Sequence, residues 1–502
     1  MVTYADVQRT AQAGGCWPNR PAYSTPPPVT VTPALPLTPT PLGFVWPTGV
    51  PSPTRLATTT PYPRCPAAPG EVLAPWPTPV PPQPPYPTMA DTRAGGGSGQ
   101  KNTLQLPEVV LTTDIAVHPT EGWPAVAAAV WSGNDNPERA FVSVLNPTTR
   151  TWTPAHQVDI GPAALGRYTR TIEVAITGDG VVHAVWGMSA PDFRDNDPPA
   201  GVWAAASHDY GASWSQPQRI GDDCRQVNDL AATLSGWLVA GLVCNDGPTR
   251  VQPAIATRSP NGVWTLERLP GAIWYFSDGA VAIATDGQAE RATVAMLTGP
   301  NGAMVTPPRV LLFSKTLGTD APWQIAVRDI DLPVVEEGPR TWHARALLYR
   351  PPGASVDSIT LMFSDASRWN VYALTSQDAG RSWLAPELVV APQAGGEQIA
   401  FAAPAYDPAS NRLVAIWTCC VEGGWSDAAP STHYLRWSRP GSGQWADPTA
   451  GQRVPLILGA RTSGETVTAQ ARNGRSAWVA WIEGGKAVEV RSFDLATVLP
   501  RP

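Results

Sequence analysis

From about residue 104 onward, short apolar runs alternate with polar punctuation, and no helical period is sustained. One series of runs reads PAVAAAVW, VVHAVWG, WLVAGLVC, ATVAMLTG, SITLMFS, RLVAIWT and AWVAWIE. A second series, each member a short distance upstream of one of these, reads TDIAV, IEVAI, NDLAAT, DGAVAI, HARALL, AFAAPA and TVTAQA. The runs are short, β-branched or aromatic, and bounded by Gly, Pro, Asn and Asp, which predicts strands rather than helices. Two series of seven predict an all-β fold made of similar sheets.

A third feature recurs with these runs. A tryptophan follows a polar turn at Trp152, Trp214, Trp264, Trp323, Trp383 and Trp445, and the intervals between them are nearly even. Repetition at such a period is the mark of a radial or stacked array. The spacing leaves room for three further strands at the C-terminal end. A β-propeller of seven blades follows, with six as the runner-up. The fourth strand of the last blade is expected from the domain's own beginning, Pro107 to Thr112, because closing the ring in this way removes free sheet edges.

Two of the turns are nearly superimposable: Ser207-His-Asp209-Tyr-Gly211-Ala-Ser213-Trp214 and Ser376-Gln-Asp378-Ala-Gly380-Arg-Ser382-Trp383. Their aspartates suit local closure of the turn, their glycines a positive φ, and their tryptophans packing between strands. These S-x-D-x-G-x-S-W turns resemble the Asp-box, or BNR repeat, of the sialidase superfamily. The resemblance runs from Leu106 to Leu495 and implies a structural role for the turns, on the face opposite the active site. It also implies what a sialidase would need: three carboxylate-binding arginines, a Tyr-Glu nucleophile pair and an aspartic acid. The first inner strand, TTDIAVHPTEG, has no arginine and no Arg-Ile-Pro motif. Arg167, Arg170, Arg225, Arg340 and Arg461 enter later strands without forming a recognisable triad. The resemblance therefore extends to the fold and stops short of sialidase chemistry.

The other face carries the candidate ligand site. Aligned inner strands give Asp114-Ile-Ala116, Glu173-Val-Ala175, Asp229-Leu-Ala231 and Asp278-Gly-Ala280, with His343 at the same place in blade 5. Residues two apart on a strand share a face, so each acid and its alanine are expected to look into the central channel. Two readings remain open here. The acids accept N–H bonds from the neighbouring blade, or they form a polar pocket, or an acid/base pair, for a sugar or a cation. Trp274, Tyr275 and Arg340 lie on loops of the same face and are candidate ligand contacts. Asp192, Asp195 and Asp197 are weak Ca²⁺ candidates, since the EF-hand glycine and distal glutamate are absent; otherwise no metal or cofactor is expected.

Composition narrows the partners. The chain has 502 residues, a net charge of −6 and 15% charged residues, with no basic cluster. Nucleic acid is thereby excluded as a partner, and no apolar stretch approaches the length of a membrane span. Residues 1–87 hold 24 of the 57 prolines and only six charged side chains, and AGGGSGQKN follows. Residues 1–104 therefore read as an extended polyproline-rich arm and flexible joint, and 105–502 as the propeller. The opening segment, Met1 to Arg20, lacks a signal peptide's apolar core. The six cysteines, Cys16, Cys65, Cys224, Cys244, Cys419 and Cys420, show no zinc-ligand spacing and are disulfide candidates, which favours an extracellular or cell-surface setting. The function expected is a recognition module on a Pro-rich stalk, binding glycan or protein. A glycoside hydrolase or polysaccharide lyase is the alternative, and a subunit of an extracellular assembly, docked through the arm, is the second alternative.

Overall fold

The computed structural model describes residues 89–91 and 101–499, apart from 107, 132–138, 160–168, 189–200, 246–250, 271–278, 287–288, 299–308, 330–341, 366–369, 392–398, 420–430, 440–444, 446–453, 461 and 473. Among these residues the strands form seven antiparallel sheets, six of them running outward in chain order from an inner strand. The inner strands are Val109–Val117, Thr169–Ile176, Cys224–Ala232, Gly279–Thr285, Trp342–Tyr349, Ile399–Asp407 and Thr462–Gln470. Each touches the inner strand of the next sheet, and Thr462–Gln470 returns to Val109–Val117. The ring is closed, so the molecule is a seven-bladed β-propeller.

Burial explains why these runs become blades. The second strand of blade 1, Pro124–Trp131, buries every residue except its last. A strand covered on both faces needs no polar side, which is why the second strands read as continuous apolar runs. Alanines at 125, 127, 128 and 129 are fully buried, letting adjoining sheets approach closely. Trp186, Trp417 and Trp481, from the second strands of blades 2, 6 and 7, are the largest fully buried side chains. Apolar clusters fill the wedges between blades; one joins Ala127 and Val142 of blade 1 to Ile172 and Trp186 of blade 2.

The closing strand differs from the expected one. Lys101–Gln105, not Pro107–Thr112, pairs with the third strand of blade 7, from Lys101↔Arg491 to Gln105↔Ala487. Leu104 is fully buried there, and the Thr103 hydroxyl donates to Glu489 Oε1 at 2.7 Å. The segment at Val109–Thr112 is taken instead by the inner strand of blade 1, which absorbs an irregularity between Val110 and Thr112. A further strand, Met89–Asp91, pairs outside Lys101–Gln105.

The two repeated turns are built alike. In the first, the Ser207 hydroxyl donates to Asp209 Oδ1 at 2.8 Å and accepts the Gly211 N–H at 2.8 Å. Asp209 also accepts the N–H of Ser213 at 2.8 Å and its hydroxyl at 2.6 Å. Ser376, Asp378, Gly380 and Ser382 repeat these bonds. Burial acts against both ionised aspartates, but together the serine hydroxyls and N–H groups hold each carboxyl below its ordinary value. Gly380 has a φ of 81°, and a Cβ there would sit 2.6 Å from the Thr293 hydroxyl of blade 4. Trp214 and Trp383 pack against the apolar wedges. These turns lock each blade to its predecessor.

Candidate functional site: the central channel

Seven inner strands surround a cavity of about 190 Å³ whose lining includes Asp114, Ala116, Ala175, Asp229, Ala231 and Arg345. The strand period is responsible: Asp114 and Ala116, like Asp229 and Ala231, stand two apart and reach the same lumen. Alanines keep the lumen open where larger residues would fill it.

The carboxylates are held by backbone of the following blade. Asp114 Oδ2 accepts the N–H of Val174 at 2.9 Å. Asp229 Oδ2 accepts the N–H of Val281 at 2.6 Å, and its Oδ1 that of Leu230 at 2.8 Å. Thus blade 1 is tied to blade 2, and blade 3 to blade 4, through the channel wall. Of the two readings the sequence left open, inter-blade bonding is realised at both residues.

That bonding pattern also shifts the alignment of blades 4 and 5. Val174 follows Glu173, whereas Val281 follows Ala280; Ala280 therefore takes the place that Asp278 was expected to hold. In blade 5 the lining begins at Arg345, and His343 stands two residues upstream, half-buried. The ring reads acid, acid, acid, alanine, arginine over blades 1 to 5. Glu173 is buried and lies close to the Asp114 carboxyl.

Electrostatics follow from this crowding. Burial pushes the Asp114 carboxyl up, against the opposing pull of the Arg345 guanidinium and the Val174 N–H. Burial likewise pushes Asp229 up to about 7, Arg345 opposing and the Asp114 charge adding to the rise. Arg345 is buried and donates from Nη1 to the carbonyl of Ala344 at 2.9 Å. The arrangement is a partly protonated acid set facing one fixed cation, able to hold a proton near neutral pH.

At the Asp-box end a second charged group crosses the lumen. The fully buried Asp357 accepts from Arg350 Nε at 2.9 Å, from the N–H and hydroxyl of Thr285 at 2.8 Å each, and from Arg472. Arg472 lines the cavity and follows the inner strand of blade 7, while its partners belong to blades 4 and 5. The latch therefore spans the ring.

Trp274, Tyr275, Asp278, Arg340, Asp192, Asp195, Asp197, Cys16, Cys65 and Cys420 lie outside the described residues, as do Arg167 and Arg461 and the side chains of Arg170 and Cys419. Cys224 and Cys244 are disulfide-bonded across the first two strands of blade 3. His183 is buried, and burial pushes its imidazole down to about 3, in keeping with blade packing. Sequence reasoning missed Arg345, although HARALL places it two residues after His343 and so on the same strand face. Trp131 was missed as well. It ends the second strand of blade 1 opposite Val109, 36% exposed beside a residue 39% exposed, on the side where the inner strands begin.

No protein-family model matches the chain, and no curated protein does. Among solved structures, the Hadza microbial sialidase Hz136 is similar over 78% of this chain and 66% of that one, at 13% identity and a TM-score of 0.44. An ulvan lyase of polysaccharide lyase family PL25 is similar over 80% of this chain and 100% of that one, at 10% identity and 0.45. A Penicillium chrysogenum alpha-L-arabinanase complexed with arabinobiose is similar over 83% of this chain and 100% of that one, at 11% identity and 0.43.

Proposed function

We propose that the protein is a glycan-recognition propeller that binds at the channel-mouth face in an extracellular or cell-surface setting. The observation that carries this reading is the commitment of Asp114 and Asp229 to N–H groups of the next blade. A carboxylate holding adjacent blades together is poorly placed to shuttle a proton to a substrate. Trp131 supports a sugar ligand, because an exposed indole offers an apolar face with a polar edge. The Pro-rich composition of residues 1–87 supports their role as a tether, and the disulfide in blade 3 supports an oxidising compartment. No helix of the described residues is long and apolar enough to cross a membrane.

A second reading, a glycoside hydrolase or polysaccharide lyase, is favoured by one observation. Asp229 titrates near 7 beside Asp114, a value suited to a general acid.

The test is a glycan array with a parallel panel of matrix proteins, probed with the full chain and with Trp131→Ala. Retention on a defined glycan is expected, weakened about tenfold by the substitution, the loss of roughly one stacking contact. Silence on every glycan, or retention on proteins alone, overturns the reading.

A further inference from the structure

Every blade of an open-sided propeller ends in an outer strand whose far edge can pair with another chain, and natural sheets blunt such edges. Here most are blunted in recognisable ways. Blade 1 ends in two fragments, Thr151–Trp152 and His156–Gln157. The outer strands of blades 2 and 5, Gln218–Asp222 and Glu387–Val390, are short and break register against their neighbours. That of blade 3, Trp264–Arg268, carries Glu267 and an exposed Arg268. That of blade 6, Val454–Ala460, contains Pro455 and pairs irregularly. The outer strand of blade 7 is covered by Met89–Asp91.

Blade 4 lacks the fragmentation, the register breaks, the proline and the covering strand, and shares with blade 3 only its terminal charges. Gln324–Asp329 pairs with the third strand without a break from Ser314↔Gln324 to Arg309↔Asp329. It contains no proline, and its charges fall only at the last two positions, Arg328 and Asp329. Ile325 and Val327, two apart and so on one face, are 45% and 46% exposed. Among the described residues no further strand lies outside it.

We propose that this edge is a self-association surface, pairing antiparallel with the same edge of a second copy of this chain. The sequence is self-complementary about Ala326. Centred there, a two-fold axis sets Ile325 opposite the second copy's Val327, and Val327 opposite its Ile325. Four β-branched side chains then share one face as two cross-strand pairs, the contact that stabilises paired strands. A centre half a step further on would set Ile325 against Arg328 and lose that match. The contact is confined to one six-residue strand, well under the roughly 1,200 Å² of a stable interface. The dimer is therefore reversible and forms with rising concentration.

Sedimentation velocity on the full chain over a concentration series tests this, with Ile325→Lys and Val327→Lys as variants. Both positions are exposed, so far-UV circular dichroism is expected to stay unchanged. The wild type is expected to shift towards dimer, and each lysine to weaken association at least about tenfold by placing a charge against an apolar pair. Register is read separately: Ala326→Cys is expected to give an oxidised dimer in excess of wild type, and Gln324→Cys none. A wild type that stays monomeric at its solubility limit, a dimer that both lysine variants retain, or equal cross-linking at the two cysteine positions overturns the proposal.

Discussion

Asp229 shows how a single carboxyl serves an element and is altered by it. Its bond from the Val281 N–H of blade 4 fixes the spacing between blades 3 and 4, while the N–H of Leu230 in its own strand holds the other oxygen, yet burial pushes its titration to about 7. A folded-state value raised above the unfolded one means that the native protein holds the proton longer. Its contribution is thus fully present below about pH 4 and is lost as pH rises through about 7, by on the order of a few kcal/mol. Asp159, buried and pushed up to about 8, acts in the same direction. His183 and His433, both pushed down to about 3 by burial, act oppositely: their contribution is present above 6.5 and is lost as pH falls from there towards 3. Asp229→Asn isolates one group from this background. It forfeits an accepted N–H bond, a constant offset, but the difference in melting temperature from wild type is expected to move in the variant's favour from about pH 4 to 7 and then level off. A difference independent of pH would show that Asp229 is ionised and solvated.

The elements were the most legible feature of the sequence. Runs such as WLVAGLVC and RLVAIWT became second strands because a strand sandwiched between two sheets shows an unbroken apolar run. The tryptophans at 152, 214, 264, 323, 383 and 445 follow the third strands, as their spacing required. The closing strand was harder to read, because KNTLQ offers one inward apolar residue, Leu104, and its partner strand lies at the opposite end of the propeller sequence. The mouth was the least legible part. Asp278 and His343 were matched to Asp229 by residue type, while the structure is aligned by which N–H each acid accepts, a relation between blades that no single strand displays. Closure can be tested by truncation. A chain beginning at Met89 is expected to melt like the full chain. One beginning at Val109 is expected to lose at least about 3 kcal/mol, from exposure of the blade 7 edge and removal of buried Leu104 and Leu106. Equal melting of the two would contradict closure by Lys101–Gln105.

For the whole molecule, the channel is the place where all seven blades meet. The Asp-box end is crossed by Arg472, which joins blade 7 to Asp357 of blade 5 and Thr285 of blade 4. Asp114, Asp229 and Arg345 stand near the middle of their inner strands and line the same cavity as Arg472. A ring tied at two levels through its inner strands resists opening and presents a fixed surface to a ligand. Whether that surface only binds or also turns over its ligand decides the account. The direct measurement is incubation of the full chain with a panel of polysaccharides, following new reducing ends and unsaturated products, in parallel with Asp229→Asn. The account predicts retention of a glycan without either product. Turnover that disappears in Asp229→Asn would contradict it, because the carboxyl assigned to holding blade 3 against blade 4 would then be the proton donor.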